Sequence, residues 1–220
     1  MAIREIALLT TSKNQRLLFN ASTVALTDLY ASCLLAFATQ GIVKVIVDIV
    51  DQPGITAADN SELKKELLLL NVLTVQRSLD LTFYAALSDK DKARLQLELI
   101  HTACLALARG RAWPRAPFEE AHAHCLQANL TNAWVMKMGR KRFFRSPDGL
   151  FTACLVCQWT LTKFVVDIVL MSKRGNNYQC QRIVDNEPFR EHGFSVACWL
   201  DRQTFQVTAS RPVRHWQAHI

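Results

Sequence analysis

Glycine is scarce in this chain, with seven among 220 residues. A Walker loop and a Rossmann fingerprint both need glycines where the backbone closes on a phosphate. Neither pattern occurs, which excludes these two nucleotide cradles. The G-x-S-x-G elbow of serine hydrolases and the H-E-x-x-H helix of zinc proteases are missing as well. No Pro/Gly/Ser-rich linker, low-complexity run or repeat at solenoid spacing divides the sequence, so one α+β domain over 1–220 is expected. Within it a helix-rich layer should span about 1–130 and antiparallel strands about 133–210. Long apolar runs are lacking too. Arg4 and Glu5 interrupt the first one, unlike a secretory signal, and the uncharged stretch Leu29 to Val43 falls short of the ~20 residues a membrane-crossing helix needs. A soluble cytoplasmic protein with no membrane partner is the expectation.

Cysteine is present but unpatterned, at 33, 104, 125, 154, 157, 180 and 198. An odd number spread through apolar runs suits reduced thiols serving as small hydrophobes. Cys154 and Cys157 make a C-x-x-C, half of a zinc or redox signature. They lie inside FTACLVCQW, a strand-like run in which residues three apart point to opposite faces. Neither a glycine turn nor a second pair accompanies them, so packing is the preferred reading, and no metal or other cofactor is expected.

The most strongly patterned stretch is SDKDKARLQLELIHTACLALARG, from Ser88 to Gly110. Ser88 followed by Asp91 resembles a capping box, and Gly110 closes the far end. Ala93, Leu97, Ile100, Cys104 and Leu107 recur at three and four residues, while Leu95, Leu99, Ala103 and Ala106 widen the stripe. Only Arg94, Glu98, His101 and Thr102 form a polar face. A helix apolar over so much of its surface must be covered on two sides, so it reads as the central buried helix, with His101 a solvated or hydrogen-bonded surface histidine.

Around it the periodicities predict a strand over Ile3 to Leu9, a helix from about Ser22 to Thr39, a strand over Ile42 to Val50 and another from about Leu68 to Val75. Pro117 opens a helix over Phe118 to Ala128. There His122 lies three residues from both Glu119 and Cys125, but with His124 pointing elsewhere no metal set is complete. From Ala133 the period becomes that of strands, with turns at Ser146-Pro147-Asp148-Gly149, Lys173 to Asn177 and Asp201-Arg202. The expected fold class is α+β: the central helix and further helices on a mostly antiparallel sheet, with a strand-rich C-terminal half. RPVRHWQAHI reads as a loosely attached tail.

The charge is uneven. Eight of the 26 Lys and Arg, against two of the 19 Asp and Glu, fall between Arg109 and Arg145, which puts +6 of the formal +7 in that stretch. Its densest part, KMGRKRFFR, sets Lys137, Arg140, Lys141, Arg142 and Arg145 among Phe143 and Phe144. These seven residues are the candidate partner-binding set, and no catalytic residue is assigned. One reading is a non-enzymatic protein that binds another protein through its strand-rich half, for instance a bacterial immunity or antitoxin-like protein that blocks a toxin. The alternative is nucleic-acid binding, with cations on phosphates and an aromatic stacking on a base. Third comes an enzyme whose site is assembled from residues distant in sequence.

Overall fold

The computed structural model describes residues 2–12, 16–55, 65–173, 178–186, 193–210 and 213–220. It has the expected α+β class, and the chain divides into two compact units, Met1–Asn132 and Ala133–Ile220. The division falls where the sequence changes from helical to strand periodicity.

The first unit runs β1 (Glu5–Thr10), α1 (Arg16–Cys33), β2 (Lys44–Asp51), β3 (Lys65–Leu69), β4 (Val72–Leu79), α2 (Leu81–Ala86), α3 (Asp89–Gly110) and α4 (Ala116–Gln127). Its sheet has the order β1-β2-β4-β3. Strands β1, β2 and β4 are mutually parallel and β3 is antiparallel to β4. The first parallel step is a β1-α1-β2 crossover, which lets α1 lie back on the sheet it connects. Alternation along the strands gives the sheet one apolar face, with Ile6 and Leu8, then Val45, Val47 and Ile49, then Leu73 and Val75. These residues form one core with Leu26, Leu29 and Tyr30 of α1, Leu97, Ile100, Ala103, Cys104 and Leu107 of α3, and Phe118 and Cys125 of α4. Thr23 of α1 donates its hydroxyl to Leu8 O at 2.6 Å, fixing helix to strand.

Helix α3 is the buried central helix the periodicity predicts. Ser88 is its N-cap, its Oγ accepting from Asp91 N at 3.2 Å and donating to the Asp91 carboxylate. The far end is closed differently from expectation. Gly110 is the last helical residue, and the left-handed residue that stops the chain is Ala112, at φ 54°. Arg111 N bonds Leu107 O and Trp113 N bonds Ala108 O, which folds the Trp113 side chain back as the helix's apolar cap.

Three sequence expectations need correction. The strand expected over Leu68 to Val75 is a hairpin, because Leu70 and Asn71 both take positive φ, the signature of a type I′ turn. Asn71 was the available signal, and the unbroken leucine run masked it. Leu67 to Leu70 are all exposed, and Leu70 is 87% accessible. Helix α1 begins at Arg16 and ends at Cys33, earlier at both ends than expected, and the apolar period continues past it because Phe37 still packs on Trp113 and Phe118. Between β4 and α3 the chain forms a short helix, α2, capped by Asp80, whose Oδ1 accepts from Thr82 N and Phe83 N. Finally, the supposed tail is a strand, described next.

The second unit runs β5 (Asn132–Val135), β6 (Phe144–Arg145), β7 (Phe151–Trp159), β8 (Phe164–Ser172), β9 (Tyr178–Asn186), β10 (Phe194–Trp199), β11 (Thr204–Ser210) and β12 (Val213–His219). One sheet has the order β5-β7-β8-β9, with β6 also on β7, and a second has the order β10-β11-β12. Strand β12 pairs with β11 along its whole length, Val213 opposite Ser210 and His219 opposite Thr204. Its period of two, with Trp216 and Ala218 turned to the core, marks it as a strand rather than a tail. The apolar faces of the two sheets meet in a core of Ala153, Leu155, Cys157, Val166, Ile168, Phe205, Val207 and Ala218. Two turns are held by aspartates as expected. Asp148 accepts from Leu150 N and the Ser146 hydroxyl, and Asp201 from Gln203 N and Thr204 N. The turn expected over Lys173 to Asn177 lies, from Arg174 onward, outside the described residues.

Candidate functional site

The basic segment leaves and rejoins one edge of β7. Met136 N donates to Leu155 O at 2.8 Å at the end of β5, and the chain returns as β6 with Phe144 opposite Ala153. Between these points Met138 and Lys141 bond each other's backbone, closing a two-residue turn at Gly139 and Arg140. Gly139 has φ 60°, the conformation a type II′ turn asks of its first central residue, and glycine meets it without strain.

Lys137, Arg140, Lys141, Arg142 and Arg145 are all exposed, and Phe143 beside them is 54% accessible. No ion pair among the described residues involves any of these five cations. The nearest acid in sequence, Asp148, is occupied: bonds from the Ser146 hydroxyl and Leu150 N hold its carboxyl below the usual carboxylate range. Phe144 has a different place from the other six candidates. Its ring packs at a tilt against Phe205, centroids 5.6 Å apart, and its carbonyl accepts from Trp199 Nε1 at 2.9 Å, so it anchors the segment to the core of the unit. An alternation assumed straight through the segment cannot locate these residues, because the turn at Gly139 resets it.

A second group lies in the first unit and joins residues the sequence had kept apart. His101 of α3 and His122 of α4 stack with ring centroids 4.2 Å apart. His122 Nε2 lies 2.9 Å from Glu98 Oε1, so its partner is Glu98 of α3 and neither Glu119 nor Cys125. Tyr30 Oη donates to Phe118 O at 3.1 Å and lies 3.1 Å from His101 Nδ1. The phenol has one hydrogen, so His101 must carry its own on Nδ1, leaving Nε2 as the ring's acceptor. Desolvation, then the neighbouring His122 ring, lower the His101 pKa, and burial raises that of Tyr30. The sequence put His101 correctly among hydrogen-bonding groups. Its partners, Tyr30 and His122, are supplied by helices α1 and α4, and no local spacing points to them.

Cys154 and Cys157 occupy opposite faces of β7. Cys157 shares the core face with Leu155, and Cys154 lies opposite Val169 on the other side. Burial pushes the Cys157 thiol up to about 12, which makes it a poor nucleophile. Among the described residues no three His, Cys, Asp or Glu are arranged to hold a metal ion, and no helix is long and apolar enough to cross a membrane. Compared with protein-family models, curated proteins and solved structures, the chain matches none.

Proposed function

We propose that the chain is a non-catalytic interaction protein whose second unit binds an acidic surface of a partner protein through the turn around Gly139. The observation that carries this reading is the set of five exposed cations that enter no ion pair among the described residues, held off the β7 edge by a closed turn beside an exposed Phe143. Clustered like charges repel one another, and an acidic partner relieves that repulsion while the aromatic supplies desolvated contact area. An immunity-like protein that masks a toxin is one instance of this class. A second reading, nucleic acid, is favoured by one feature: Phe143 follows Arg142 directly, as in surfaces where cations follow phosphates and an aromatic stacks on a base.

One experiment tests both. Charge reversal at Arg140, Lys141 and Arg142 should leave the thermal melt nearly unchanged and abolish capture of partners in a pull-down read by mass spectrometry with and without nuclease. A protein partner survives nuclease. Binding to mixed RNA and DNA that falls steeply between low and moderate salt supports the second reading, since each phosphate neutralised steepens the slope. Unchanged capture after charge reversal would leave the segment a solvated turn and overturn both readings.

A further inference from the structure

On the first unit a groove of about 600 Å³ lies between the last turns of α3 and the chain leading into α4. Its lining is mostly apolar and includes Leu105, Ala106 and Trp113. Among the described residues the charged side chains of the lining are Arg109 and Arg115. Arg115 is paired with Glu119 at 3.0 Å, whereas Arg109 is exposed and enters no ion pair among the described residues. The backbone makes this concavity. Ala112 in its left-handed conformation reverses the chain and lays Trp113, 5% exposed, back against the end of α3. Phe37 and Phe118 hold the indole from the other side, with ring centroids 5.7 and 6.4 Å away. The groove is therefore preformed and does not need a ligand to assemble it.

We propose that this groove binds a small amphiphilic anion, an unbranched apolar chain carrying one carboxylate of the fatty-acid type. The volume falls in the range of small-ligand sites. An apolar floor takes the chain, and Arg109, which enters no ion pair among the described residues, takes the head group by a charge-assisted hydrogen bond. A cationic amphiphile meets two like charges at the same place, so the charge pattern selects the sign of the ligand. This site is independent of the turn around Gly139.

The test is calorimetric titration of the intact protein with decanoate below its micelle concentration, alongside decyltrimethylammonium as the cationic counterpart. Saturable one-to-one binding of decanoate alone is expected. Arg109→Ala should weaken it roughly tenfold, the scale of a lost hydrogen bond to a charged group. Ala106→Phe should fill the groove and abolish binding while circular dichroism reports an intact fold. If Ala106→Phe proves unfolded, Arg109→Ala decides, because its side chain is exposed. No saturable decanoate binding, equal binding of both amphiphiles, or decanoate binding untouched by Arg109→Ala would overturn the proposal.

Discussion

Ala112 is a residue at which local chemistry and backbone disagree. A left-handed conformation costs an L-residue with a Cβ about 1 kcal/mol that glycine avoids, and glycine is the usual occupant of this position after a helix. Ala112→Gly should therefore raise stability by roughly 0.5–1 kcal/mol, seen as a higher urea midpoint at unchanged slope. The gain is partly offset by the greater freedom of glycine in the unfolded chain. No gain at all would mean that Ala112 is not held left-handed. His101 carries a second prediction. Burial, then the neighbouring His122, hold its folded pKa below the ordinary imidazole value, so it is neutral in the native state near neutral pH, while the unfolded chain takes up the proton first as pH falls. Its contribution is present in full above about pH 6.5 and is lost as pH drops through the lower folded value. The groups facing it are His122, Glu98, Glu119, Arg115 and the Tyr30 hydroxyl, and the two glutamates act against the shift. His101→Gln should flatten the stability profile on the acid side of the ordinary imidazole range, measured by urea melts at each pH. A profile identical to the parent would assign the titration to another group.

Helix α3 is the element on which the first unit depends. Leu97, Ile100, Ala103 and Cys104 are completely buried along its core face. Leu97→Ala leaves a cavity under the helix and should cost about 2–5 kcal/mol. A thermal or urea melt matching the parent would remove α3 from the centre of the core. This element was legible in the sequence because its stripe runs over six turns between a serine cap and a terminal glycine, and no other pattern competes. The β3-β4 hairpin was not, since a leucine run has the same hydropathy at every position and cannot show where the strand reverses. Strand β12 was missed because its charged and polar residues, Arg214, His215 and Gln217, outweigh Trp216 and Ala218 in composition while the alternation itself is regular. The basic segment was legible as charge. Its shape was not, because the turn at Gly139 depends on pairing with the distant β7.

At the scale of the molecule, each unit carries its own hydrophobic core. The members of one lie between Ile3 and Leu130, and those of the other between Met136 and Ala218. Expressed alone, residues 133–220 should therefore fold, with dispersed amide resonances and a cooperative melt. A fragment lacking both would show that its core needs the first unit. The exposed leucines of β3 have a further consequence, one of colloidal behaviour. Leu67 to Leu69, with Leu70 in the turn beyond them, combine strong hydrophobicity with an edge position in the sheet, the composition that seeds cross-β association; Glu66 is held by Arg111, which leaves Lys65 as the gatekeeper charge beside them. Concentrated protein should scatter light increasingly with time at salt high enough to screen Lys65. Leu70→Asn suits the left-handed backbone there better than leucine and removes the most exposed side chain of the run, so it should slow the scattering and raise the melting midpoint together.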